Sequence, residues 1–294
     1  MTGKTRILLT LACGATLLGG AAWAERGTQP TDGNVVAQET AERATLGQLV
    51  EAARLEPLMR IVATEGARHG LGLEGSLFPG RGGEAWATAV SRIQSPDRLM
   101  RILTATLDKE LGADERAAAM RFYRSSLGSK ITEGEVTSRR AMLDAEVEAS
   151  AMKTSADRLR AADSRATLVR RLIETLDLVT SNVTGGLNAN YAFYRGLDDG
   201  GAMRRQMSES EMLALVWGQE KQVRKATRTW LHAYLNLAYE RLTDEELSDY
   251  IAFVETPAGR RMNAALFAAF GRVFEETSYE MGLAAARFMA TQDI

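Results

Sequence analysis

The sequence predicts an all-α protein, two copies of a helical repeat packed into one globular helical body. Three observations carry this. The 294 residues are 45% hydrophobic and 25% charged, enough for a sizeable core, with 5 prolines and abundant Ala, Leu, Arg and Glu; that composition favours helix over sheet. Apolar residues recur at the spacing of a helix face through most of the chain. The stretch RFYRSSLGSK, Arg121 to Lys130, has a relative in AFVETPAGRR, Ala252 to Arg261.

The N-terminus reads as a targeting segment. Lys4 and Arg6 lead into an apolar run from Ile7 to Ala22, closed by Ala22-Trp23-Ala24. This is the pattern of a secretory signal peptide over residues 1–24, and it places the mature chain in the periplasm. The run is too short and too glycine-rich to span a bilayer, so no transmembrane helix is expected in the mature chain. Cys13 would be the lipidated residue of a lipoprotein, but Thr10-Leu11-Ala12 fits that pattern poorly, so a lipid-anchored form is not expected. Cleavage after Ala24 removes the only cysteine and with it any disulfide. It also removes Lys4 and Arg6, leaving 34 basic against 38 acidic residues. Such a balance sets up no field for nucleic acid.

Residues 25–44 are polar and read as a flexible leader. The first repeat is assigned to residues 45–162. Thr45 and Gln48 have capping-box spacing, and Leu46, Leu49, Val50 and Ala53 share one helix face. Leu58, Ile61 and Val62 continue beyond Pro57, which is expected to kink or break the helix. The glycines from Gly66 to Gly83 predict a loop. Trp86 opens a helical stretch to Glu110, interrupted near Ser95-Pro96; a short helix runs from Ala113 to Arg124 and a long one from Ser126 to Arg160. The second repeat is assigned to residues 163–294. Leu168, Val169, Leu172, Ile173, Leu176 and Val179 form its first amphipathic face. Gly185 to Gly201 is loop-like at both ends. Ser208 and Glu211 have capping-box spacing ahead of a helix to Arg241.

A shift of 131 positions relates the two halves. It places Leu111 on Leu242, Glu115 on Glu246, Phe122 on Phe253, Ser125 on Thr256, Gly128 on Gly259 and Ile131 on Met262. Trp86 falls on Trp217 at the same shift. Two copies of one four-helix unit, packed face to face, explain this.

The repeated motif has a physical reading. Thr243 and Glu246 form a capping box, and Asp244, Glu245 and Glu246 sit where the helix dipole favours negative charge. Leu247, Tyr250, Ile251 and Val254 follow the core-facing spacing. Thr256 and Pro257 suit an N-cap followed by the first residue of a new helix. Gly259, in that helix's first turn, is expected where another backbone approaches closely. The motif is therefore a helix, a tight corner and a second helix, a packing device. The functional alternative makes Lys130, Arg260 and Arg261 an anion contact near a helix start.

These residues resemble a known family. The acidic helix start, the FY-S-x-x-G-x-K pattern and the amphipathic helix after it are similar to exported bacterial proteins carrying the domain of unknown function numbered 2059. The second copy matches through Thr243-Asp244-Glu245-Glu246, Phe253, Thr256-Pro257, Gly259 and Arg261. The first keeps Asp114, Glu115, Phe122-Tyr123, Ser125 and Gly128-Ser129-Lys130. Ser126 replaces the proline in the first copy, and Val254 stands where a tyrosine is usual in the second. The resemblance implies an exported, all-helical bacterial protein and supplies no catalytic residues.

Catalytic constellations are missing from the sequence. His69 and His232 have no His or Cys at ligand spacing, so neither a zinc site nor any other cofactor is expected. His232, in Trp230-Leu231-His232-Ala233-Tyr234, is read as structural. Gly80-Arg81-Gly82-Gly83 lacks the context of a phosphate loop. The apolar run Met262 to Gly271 is read as buried helix, with a groove for a lipid or partner helix as the alternative. Met203, Met207 and Met212 are read as gap fillers. The expectation is a non-enzymatic periplasmic binding or interaction module for an envelope protein or apolar ligand. The alternative is a cell-envelope hydrolase using paired carboxylates, which requires two acids converging in one cleft.

Overall fold

The computed structural model describes residues 46–203 and 206–290; the segments read as a signal peptide, residues 1–24, and as a leader, residues 25–44, lie outside them. No strand occurs among the described residues. Residues 46–52 are helical and precede twelve further helices. These are α1 (Leu55–Leu77), α2 (Gly83–Ile93), α3 (Pro96–Glu110), α4 (Ala113–Tyr123), α5 (Ser126–Ala141) and α6 (Ala145–Ala161). They continue as α7 (Ser164–Thr175), α8 (Leu178–Asp199), α9 (Glu209–Trp217), α10 (Glu220–Ala238), α11 (Asp244–Val254) and α12 (Pro257–Ala290). The all-α prediction holds, in one globular body.

Several boundaries differ from the sequence reading. Gly66 to Gly75 are not loop but the second half of α1. Gly66 is buried against the Gln94 side chain, and the Gly70 carbonyl accepts the Trp86 indole N–H at 3.0 Å. The turn is confined to residues 78–82. Pro57 does not break a helix; the break lies ahead of it at Arg54, whose φ is 50°. Pro57 then sits in the first turn of α1, where an N–H has no intrahelical partner to lose. The single helix expected from Ser126 to Arg160 is two. Asp144 accepts the Glu146 N–H at 2.8 Å and starts α6 afresh, the competition that short polar side chains offer to a continuing helix. Gly185 and Gly186 lie inside α8, which turns only at Gly200 and Gly201. The helix expected from Ser208 to Arg241 breaks at Gly218-Gln219 into α9 and α10.

The capping predictions at Ser208 and Thr243 hold, and the one at Thr45 lies outside the described residues. Ser208 accepts the Glu211 N–H and Thr243 the Glu246 N–H, and each glutamate reaches back to its N-cap N–H. Ser125 and Thr256 each accept the N–H of the glycine three residues on, both at 3.0 Å. Each such cap stabilises by about 1 kcal/mol.

The long α12 is the axis of the body. It packs along α8 and against α3, α4, α2 and α1. A Cβ on Gly196 would overlap the Tyr279 carbonyl, and one on Gly282 the Phe193 carbonyl. The two helices therefore touch backbone to backbone. One large core draws Leu55, Met59, Leu99 and Ile131 together with Val169, Leu231, Ile251, Met262 and Leu266. A smaller core holds Phe78, Trp86 and Phe288 in mutual ring contact at 5.0 to 5.5 Å. Trp217, placed on Trp86 by the sequence shift, has a different fate: Trp86 is fully buried and Trp217 is 55% exposed. Met212 is buried in α9, as a gap filler should be.

At Gly128 a side chain would run into the Phe122 carbonyl, and at Gly259 into the Phe253 carbonyl. Gly259→Val is expected to cost about 2–3 kcal/mol by overpacking, lowering Tm by several degrees in a thermal melt. Gly72→Ala, in a helical position with open space around it, should be neutral or stabilising by up to ~1 kcal/mol.

Candidate functional site

The two stretches related by the sequence shift lie in one place. α4 and α11 span Ala113–Tyr123 and Asp244–Val254, and each turns a tight corner into α5 or α12. Phe122 stacks face to face on Phe253, ring centroids 3.6 Å apart and planes within 3°. Lys130 Nζ meets Glu246 Oε1 at 2.5 Å, and Arg261 Nε meets Glu115 Oε1 at 3.4 Å. Each acidic helix start thus pairs with the basic residue after the other corner, the self-complementary pattern of a two-fold contact. Arg261 also reaches Glu110, and Arg260 donates to the Glu255 carbonyl. All three cations named as an anion contact are therefore engaged by groups of the chain itself.

Beneath this crossing lies a buried carboxyl that the sequence reading missed. Glu135 of α5 is 4% exposed. Its Oε1 accepts the Tyr239 hydroxyl at 2.6 Å, and its backbone carbonyl accepts the Tyr234 hydroxyl at 3.1 Å. Burial pushes its proton affinity up to about 8, and the Tyr239 hydrogen bond works the other way. Burial, and then the nearness of Glu135, also push the Tyr123, Tyr239 and Tyr250 hydroxyls upward. The Tyr123 hydroxyl is buried without a partner. One turn on, Arg139 forms a two-pronged pair with Glu65 at 2.8 and 2.6 Å and lies 4.7 Å over the Trp230 ring. The clue in the sequence was periodicity. Ile131, Thr132, Glu135, Val136 and Arg139 form one buried stripe of α5, and two of those five are charged types.

On the outer side of α12 lies a groove of about 580 Å³. One wall is the α8 stripe Ser181, Thr184, Gly185 and Asn188; the other is Phe267, Ala268, Gly271, Arg272 and Glu275 of α12, with Thr106 and Lys109 of α3 at the edge. The run Met262 to Gly271 is therefore buried on its inner face and lines this groove on its outer one. A Cβ on Gly185 or Gly271 would meet nothing within 4 Å. Interior helix glycines cost up to ~1 kcal/mol each against alanine, and no neighbour here requires them. Their effect is an open channel in which a ligand can reach the helix backbones. Asn182, 2% exposed, also lines the groove; its amide N–H donates to the Leu178 carbonyl at 2.8 Å while its Oδ1 has no partner.

The remaining titratable candidates are structural in placement. His232 is 8% exposed, and burial, with Arg170 and Arg228 nearby, lowers its proton affinity. Burial alone lowers that of His69. Glu276 and Glu280 face a groove beside α12, but both converge on Arg98, at 3.8 and 2.6 Å, as counter-ions. Among the described residues no group of three or more His, Cys, Asp or Glu is placed to hold a metal ion, and no helix is long and apolar enough to cross a membrane.

Residues 97–157 match the model of a family described as an uncharacterized protein conserved in bacteria, DUF2059. The match runs from the start of α3 into α6 and includes the first motif and Glu135; the second motif lies outside it. No curated protein and no solved structure matches the chain.

A double-mutant cycle on Phe122→Ala and Phe253→Ala measures the contact between the motifs. The expected coupling is about 0.5–1.5 kcal/mol, the range of stacked aromatic pairs. Strictly additive losses would mean the rings do not interact.

Proposed function

We propose that the mature chain is an exported, non-enzymatic binding protein whose groove between α3, α8 and α12 holds a small amphipathic ligand. The carrying observation is the pair of interior helix glycines, Gly185 and Gly271, that keep the groove open with no packing reason to be there. Its size falls within the range of about 300–1,000 Å³ common to small-molecule clefts. Phe267 and Ala268 offer an apolar floor, and the hydroxyl and amide side chains of α8 offer orienting contacts. Export rests on the charged start, apolar run and A-x-A pattern of residues 1–24. The hydrolase alternative draws no support from Glu276 and Glu280, which Arg98 already engages.

We also propose that residues 45–162 and 163–294 are two copies of one unit. Supporting this, α4 and α11 have equal lengths, the corner hydrogen bonds recur at the same spacing, and the contacts between the motifs are reciprocal.

Native mass spectrometry of the protein purified from its own periplasm tests the reading. The expected result is a chain beginning at Glu25 carrying a non-covalent small-molecule adduct. Gly271→Leu, which fills the groove where a side chain meets nothing, should abolish the adduct and leave Tm unchanged or slightly raised. An adduct that persists undiminished in Gly271→Leu would place the ligand elsewhere. A bare chain from the native source would contradict the binding reading.

A further inference from the structure

Neither the groove nor the packing motif makes use of Glu135. It sits on the inner stripe of α5 where four elements press against that helix. α4 presents Tyr123, the end of α10 presents Tyr234 and Tyr239, and α11 presents Tyr250. α1 presents Glu65, already tied to Arg139, and Arg54 pairs with Glu133 on the exposed side of α5. Among these groups no cation balances a charge on Glu135. An isolated carboxylate in such a place is far costlier than a neutral acid. The neutral form keeps the Tyr239 hydrogen bond and its own O–H beside the tyrosines. The ionised form gains hydration only if α5 moves away from α10 and α11.

We propose that Glu135 is a proton-operated latch: protonated, it closes α5 onto α10 and α11 beneath the Phe122–Phe253 stack, and loss of its proton loosens that packing. The device concerns conformation and is independent of what the groove binds. Its pH window follows from the direction of the shift. The folded-state affinity, about 8, lies above the ordinary carboxyl value of 4.5. The unfolded chain therefore holds fewer protons between those values, and stability falls as pH rises. The contribution is fully present below about 4.5 and lost as pH passes about 8. Tyr239 supplies a second handle. Its hydrogen bond favours the charged form, so Tyr239→Phe should move the transition to higher pH.

The experiment is a pH titration, from 5 to 10, of the full mature protein labelled at glutamate side-chain carboxyls and followed by carbon NMR. Amide exchange of residues 126–141 is compared at each pH between the wild type and Glu135→Gln. The expected result is one carboxyl titrating near pH 8, missing in Glu135→Gln. Faster α5 exchange should set in at the same midpoint in the wild type only. The wild-type carboxyl titration stands by itself should the variant fail to fold. The proposal is overturned if every carboxyl titrates in the ordinary acid range. It is equally overturned if α5 exchange is independent of the Glu135 proton, so that wild type and Glu135→Gln follow the same profile.

Discussion

Backbone lying against backbone is the constraint on which this fold depends. At Gly128 and Gly259 the start of a helix rests on the last turn of the helix before it. At Gly134 α5 meets the Ala238 carbonyl at the end of α10, and at Gly196 and Gly282 α8 and α12 cross. In each case a methyl group would occupy the space of a carbonyl oxygen. Protein interiors are close-packed and yield little to such intrusion. Short corners set by these glycines bring Phe122 over Phe253 and put Lys130 beside Glu246 and Arg261 beside Glu115. The ion pairs themselves are partly exposed and contribute little; they fit a geometry that the glycines and the core create.

Local signals in the chain were readable where they are chemically self-contained. Thr243 with Glu246, Ser208 with Glu211, and Thr256-Pro257-Ala258-Gly259 announce helix starts because cap, dipole and fixed φ act within one turn. The close approach at Gly259 was readable from its place in the first turn after Thr256-Pro257, but the roles of the other glycines were not, because they depend on what packs against them. Gly66 and Gly70 are buried inside α1, Gly196 and Gly282 sit at a crossing, and Gly185 and Gly271 face open space. Clustered glycines suggested a loop at 66–83 and loop-like ends for the stretch Gly185 to Gly201, and tertiary packing overrode that propensity at 66–77 and at Gly185 while leaving the turns at 78–82 and 200–201. The Asp144 break was hidden by a helical pattern that continues on both sides. Glu135 was hidden for the opposite reason: one of two glutamates on α5, two residues from the exposed Glu133, looks like surface until the partners of its stripe are known.

α12 connects the features of interest. It begins at the corner beside the Phe122–Phe253 stack, carries Gly259 and Arg261 there, and continues without a break to Phe267, Gly271 and Glu275 in the groove. Glu135 lies beneath the same crossing, held by Tyr239 at the entrance to α11. The crossing thus shares α12 with the groove and α5 with the buried acid. α8, gripped by α12 at Gly196 and Gly282, supplies the opposite wall.

The crossing of α4–α5 with α11–α12 is expected to join the N-terminal and C-terminal parts of the chain into one cooperative body. Native-state hydrogen exchange at pH 6 under increasing denaturant tests it most directly, because it reports the opening free energy of each segment separately. The account predicts that amides of α4, α5, α11 and the first turns of α12 share a single opening free energy equal to that of global unfolding. Residues 46–161 exchanging as a unit while α11 and α12 stay protected would contradict it, and would mean that the halves fold independently and merely touch.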